Sequence, residues 1–196
     1  MKRTNNNNWI FTISIILTAI VMAFLSFVPV SIEFIKLFIV YFDPTKLLSN
    51  LPLWIFINGI IALYSHSEKT ATLNTTLFNI VCFVSYCLFS IILTHTMPKE
   101  MFLTWIVFTL IWTIFSYLVW SANQSDSKGW ILSTLLLAIL FSTCFTYTEN
   151  TISNTTILNF LLYVFLVVIL YKGTKETLII VVSSIILAMI LNKFKI

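Results

Sequence analysis

Charge is scarce in this chain: Asp, Glu, Lys and Arg together make up 9% of its 196 residues, where an ordinary soluble domain carries roughly a quarter. With 59% hydrophobic residues and a mean hydropathy of +1.01, a water-soluble globule is excluded. The few charges gather in short polar gaps between long apolar runs. No polar stretch exceeds about a dozen residues, so no soluble domain is attached, and the length excludes a carrier built from two six-helix halves.

Glycine is nearly absent too. Gly59, Gly129 and Gly173 are the only three, too few for a loop that cradles phosphate, and neither H-E-x-x-H nor G-x-S-x-G occurs. The three cysteines, Cys82, Cys87 and Cys144, all sit inside apolar segments and read as small buried hydrophobes rather than disulfide partners or metal ligands. The two histidines, His66 and His95, fall at opposite ends of one intervening apolar segment, which argues against a shared metal. From Leu51 onward no Asp, Glu or His stands at the centre of a span. Intramembrane catalysis and proton coupling both need such groups, so the expectation is a chain without catalysis, cofactor or metal. Lys and Arg exceed Asp and Glu by 11 to 7, but without a basic face interleaved with aromatics, so nucleic acid is excluded as a partner. That excess is what loop lysines facing an anionic cytoplasmic leaflet produce.

What is present is a series of apolar runs. They predict an all-α polytopic transmembrane helix bundle forming a single membrane domain over residues 1–196, with about seven spans (six to eight) near 9–30, 51–65, 77–96, 101–122, 130–147, 155–171 and 175–191. Three of these, the second and the last two, are short of the roughly 20 residues a crossing helix needs and must extend into polar flanks. The first run is too long for a signal-peptide core and no small-x-small cleavage site follows it. It reads as an uncleaved span with Lys2 and Arg3 on the cytoplasmic side. Richness in Ile, Asn, Lys and Phe suggests an AT-rich genome, and a bacterial plasma membrane is the simplest home.

Between the first two spans, residues 31–42 are apolar yet carry Glu33 and Lys36 on one helical side. They read as an interfacial or re-entrant helix ended by Asp43-Pro44, with an eighth crossing as the alternative. Lysine and arginine counts lean slightly to eight, with six inside and four outside against six and five for seven crossings, so seven is preferred on segment length alone. Three sequons, beginning at Asn74, Asn123 and Asn154, carry meaning only in a secretory pathway, and no internal repeat is evident.

Trp54, Trp105, Trp120 and Trp130 fall near segment ends and read as interfacial anchors. Trp112 stands mid-span, where its indole N–H needs a partner or an aqueous cavity. The neutral polar residues within spans, Asn58 beside Gly59 and Asn79 foremost, read as interhelical hydrogen-bonding groups. The sharper alternative is that Glu33, Lys36, Asn58, Asn79 and Trp112 line a small polar cavity suited to a neutral or zwitterionic ligand.

Residues from Leu51 to about Tyr147 resemble a family of small multi-spanning proteins of Gram-positive bacteria known as a domain of unknown function. The resemblance is carried by Leu51-Pro52-Leu53-Trp54, the stretch from Asn74 to Asn79 leading into Ser85-Tyr86-Cys87-Leu88, Met97-Pro98-Lys99-Glu100-Met101-Phe102, and Ser121-Ala122 followed by Lys128-Gly129-Trp130. It departs at Ser85-Tyr86-Cys87, where a Tyr-Tyr pair is typical. The resemblance implies a helical membrane fold and no assigned activity, so no functional residue is carried over. The function expected from sequence is a permease-like or accessory membrane component for a small solute, with the bilayer and a further membrane protein or ATPase as partners. The rival is an interaction protein of immunity, sensor-accessory or envelope-stress type that works by helix packing.

Overall fold

The computed structural model describes residues 8–28, 51–124, 126–148, 151–154 and 157–193. Among them stand seven α-helices: α1 (Asn8–Leu25), α2 (Leu51–Tyr64), α3 (Glu68–Thr94), α4 (Phe102–Ser121), α5 (Ser127–Cys144), α6 (Ile157–Ile169) and α7 (Thr174–Lys193). Four segments, Glu68–Thr94, Lys99–Ser121, Ser127–Cys144 and Thr174–Asn192, are long and apolar enough to cross a membrane. The predicted interfacial helix at 31–42, with Glu33 and Lys36, lies outside the described residues.

Local chemistry sets the helix boundaries. Ser67 caps α3: its hydroxyl accepts from the Thr70 N–H at 3.2 Å while Thr70 Oγ1 accepts from the Ser67 N–H at 2.7 Å, a reciprocal cap that satisfies two otherwise orphaned donors. The third helix therefore starts at Glu68, well before the expected residue 77, because Thr70 to Thr76, polar in sequence, is helical and points several of its side chains inward. His95, in the left-handed conformation (φ 55°), ends it. Asp126 caps α5 by accepting from the Gly129 N–H at 2.7 Å. At the other end, Phe145 turns extended. The fifth span thus stops at Cys144 rather than 147, since Phe145–Thr148 (β1) pairs antiparallel with Thr151–Asn154 (β2), Phe145 opposite Asn154 and Thr148 opposite Thr151. The first strand is made of Phe, Thr and Tyr and the second opens with Thr151-Ile152, residues that favour extended backbone. The first helix ends at Leu25, short of the expected residue 30.

Helix directions follow from the contacts. Asn58 meets Asn79 and Ser65 meets Asn74, so α2 and α3 are antiparallel. Thr12 meets Asn74, and the Phe24 and Phe89 rings meet at 5.4 Å, so α1 runs parallel to α3. Leu25 and Leu51 therefore lie at the same end of the bundle. The start of α1, the α2–α3, α4–α5 and α6–α7 turns share one end, tied there by Trp120 to Ser65 and Lys172 to Gln124.

α3 is the hub. Its Asn74 accepts from Thr12 Oγ1 of α1 at 3.1 Å, and its Thr76 hydroxyl meets Thr113 of α4 at 2.7 Å. Around it Trp54, Phe78, Leu136, Leu140 and Leu166 are fully buried. The outward faces are apolar as well: Leu103 and Ile114 of α4 are 74% and 70% exposed, and Ile10, Leu17, Leu178 and Ile186 are similarly bare. A contiguous surface of this kind is unfavourable in water and suited to lipid.

Candidate functional site

α2 is only 14 residues long and lies in the interior of the bundle, its middle turn facing α3. Gly59 faces α5; a Cβ built there would meet the Leu136 methyls at an ordinary contact distance of 3.9 Å. Beside it, Asn58 is held by its own helix, its Nδ2 donating to the Trp54 carbonyl at 2.9 Å. That bond turns Asn58 Oδ1 toward α3, where Asn79 Nδ2 donates to it at 2.8 Å and also to the Thr75 carbonyl at 2.9 Å. Because both neighbours of Asn79 Nδ2 are acceptors, the orientation of each amide is determined by its network. Both asparagines are 0% exposed.

From α4, Trp105 completes the cluster. Its indole Nε1 donates to the Asn79 backbone carbonyl at 2.9 Å, and its ring meets Trp54 edge-on at 5.3 Å and stacks on Phe83 at 5.5 Å. Trp54 also contacts Phe78 and Phe108, each at 6.3 Å. Two atoms of the cluster, Trp54 Nε1 and Asn79 Oδ1, are buried without a hydrogen-bond partner among the described residues. One is a donor and the other an acceptor. Each costs about 1–3 kcal/mol of lost hydration when left unpaired in an apolar interior.

Of the residues expected to form a polar cavity, the structure brings Asn58 and Asn79 into direct contact, while Glu33 and Lys36 lie outside the described residues. Trp112 is buried, 5% exposed, but it belongs to an aromatic row along α4, 6.3 Å from Phe108 and 6.0 Å from Phe115. The tryptophan that reaches the asparagines is Trp105. Two of the expected interfacial anchors are thus core residues, Trp54 fully buried and Trp105 2% exposed. The reason is depth: α3 begins earlier than its hydropathy indicates, which moves Asn79 to the level of the first turn of α4. A tryptophan four positions before an asparagine on α2 was the available signal, since i and i+4 share a helix face.

Chemically this is a neutral network of amides and indoles with one donor and one acceptor left over. His66 and His95 lie beyond opposite ends of the 27-residue α3. The arrangement defines an all-α bundle with candidate membrane spans and a closed polar centre. Compared with known proteins, the chain matches no family model, no curated protein and no solved structure.

Proposed function

We propose that the chain is a multi-pass protein of the bacterial plasma membrane, N terminus cytoplasmic, that acts as an accessory component by packing its helices against a membrane partner. One observation carries this reading: the polar residues at the centre of the bundle, Asn58 and Asn79, bond to each other and are shut off from solvent. A route for a polar solute keeps such groups wet, whereas structural asparagines between helices are dry and paired. Among the described residues, Lys69, Lys128, Lys172 and Lys175 belong to the end where α1 starts and Lys99 and Lys193 to the opposite end, in the sense of the positive-inside rule, which supports the orientation.

The test is isolation from the native host at native expression level in nanodiscs, followed by mass spectrometry of everything retained. A stoichiometric membrane-protein partner is the expected result, and an ATPase among the partners would make the chain a pump subunit. Recovery alone, or with only a small molecule, would contradict the reading.

A second reading, a permease for a small neutral or zwitterionic solute, is favoured by the leftover donor and acceptor at Trp54 Nε1 and Asn79 Oδ1. Those two atoms are what such a solute would bond if α2 moved away from α3.

A further inference from the structure

The helices form two groups by their mutual bonds. α1 to α4 are cross-linked by Thr12–Asn74, Asn74–Ser65, Asn58–Asn79, Thr76–Thr113, Trp105–Asn79 and Trp120–Ser65. In the second group α5 packs along α7, and Tyr163 of α6 meets Ser184 of α7 at 3.2 Å. Two polar contacts between described residues pass from one group to the other. Ser133 Oγ donates to the Ala122 carbonyl at 2.7 Å, and Lys172 Nζ donates to the Gln124 carbonyl at 2.5 Å. Both are at the end where α1 starts.

The Lys172 contact is built with care. Its ammonium lies over Gly129, where a Cβ would stand 3.0 Å from Nζ and would collide with the Gln124 carbonyl of the same α4–α5 turn; glycine lets that turn hold the carbonyl where Lys172 reaches it. The lysine's backbone N–H is fixed by Thr177 Oγ1 at 3.1 Å, and the Thr177 N–H by the Gly173 carbonyl at 2.9 Å. Yet the location opposes a cation. Lys172 sits between the first turns of α5 and α7, where helix dipoles present partial positive charge. Burial also lowers its pKa, with the Asp126 and Glu176 carboxylates pulling the other way. The tie is held by its partners against the burial that opposes its charge.

We propose that Lys172 is a releasable pin: a positioning residue that clamps the α6–α7 turn onto the α4–α5 turn, and whose release lets the two helix groups separate at that end. Asp126 serves the pin and the α5 cap together, so release also loosens the start of α5. This makes the end bearing the lysines the responsive one, which suits a subunit that signals to a partner. The inference stands on the Lys172 geometry and is independent of what the partner is.

Hydrogen exchange of the full chain in nanodiscs tests it, with peptides covering residues 122–130 and 170–177 as readouts and the Ser67–Ala71 cap as internal control. Lys172→Met should accelerate exchange in the two readout peptides by about tenfold, because exchange follows the local opening constant. The control should not change, and Lys172→Arg should restore slow exchange. Wild-type rates in Lys172→Met, or Lys172→Arg as fast as Lys172→Met, would overturn the proposal. If Lys172→Met loosens the control as well, Glu176→Gln decides: acceleration confined to the readout peptides supports the pin, and unchanged rates refute it.

Discussion

Asn79 Nδ2 donates to Asn58 Oδ1 across the α2–α3 interface at 2.8 Å, with both residues sealed from solvent. Removing one partner strands the other. Asn79→Ala should therefore cost about 1–3 kcal/mol in unfolding from mixed micelles, and Asn58→Ala a similar amount. The double variant should cost less than the sum, the coupling being roughly 0.6–2 kcal/mol for a hydrogen bond between membrane helices. Asn79→Asp should be worse than either alanine, since it puts an unpaired carboxyl in the core. Full additivity would mean the contact contributes nothing.

The two tryptophans beside the pair should respond unequally. Trp105→Phe deletes the N–H that serves the Asn79 carbonyl and should cost about 1 kcal/mol beyond lost packing. Trp54→Phe deletes an indole N–H that has no partner among the described residues. Its lost ring area is offset by relief of that desolvated donor, so it should cost clearly less than Trp105→Phe in the same assay. The reverse order would show that Trp54 Nε1 is engaged in the folded protein.

Gly129→Ala should be among the most damaging small substitutions in the turns. The new methyl would collide with the Gln124 carbonyl oxygen, a backbone atom with little room to give. A loss of about 1–3 kcal/mol is expected, typical of overpacking, whereas Gly59→Ala, which meets only Leu136 methyls at 3.9 Å, should be tolerated. Thermal melting of both variants side by side checks the contrast.

Lys172 makes a prediction about pH. Burial holds its folded-state pKa below the ordinary 10.5, so in the window between the folded and unfolded values the unfolded chain binds more protons. Stability then rises as pH increases through that window. Wild type should gain more stability on approaching pH 10.5 than Lys172→Arg, whose guanidinium stays charged. Identical pH profiles for the two would contradict an ammonium disfavoured by partial burial.

Much of the bundle was readable from hydropathy, because a run such as Phe102 to Ser121 has nowhere else to go. Boundaries were less readable where polarity and helicity part company. Thr70 to Thr76 looks like a loop, yet Asn74 and Thr75 are buried: Thr12 and Ser65 meet the Asn74 amide, and the Thr75 hydroxyl donates back to the Ala71 and Thr72 carbonyls of its own helix. Phe145 to Thr148 continues an apolar run but takes the extended backbone its β-branched and aromatic residues prefer. Asn58 and Asn79 were identifiable as polar groups in spans, and their pairing depends on a register that only packing determines. Trp105 could not be singled out, since its position near a span end resembles an anchor until α3 is seen to begin at Glu68. Nothing in the spacing of Lys172 and Gln124, 48 residues apart, announces their contact.

The most direct test of a closed, structural centre is the reactivity of a cysteine at position 58. In a background with Cys82, Cys87 and Cys144 replaced by alanine, Asn58→Cys in native-lipid vesicles permeabilised to a charged, water-soluble thiol reagent should stay unlabelled while Gln124→Cys reacts fully. Labelling of Asn58→Cys at a rate comparable with Gln124→Cys would contradict the account, place water at the centre of the bundle, and make the chain a solute carrier.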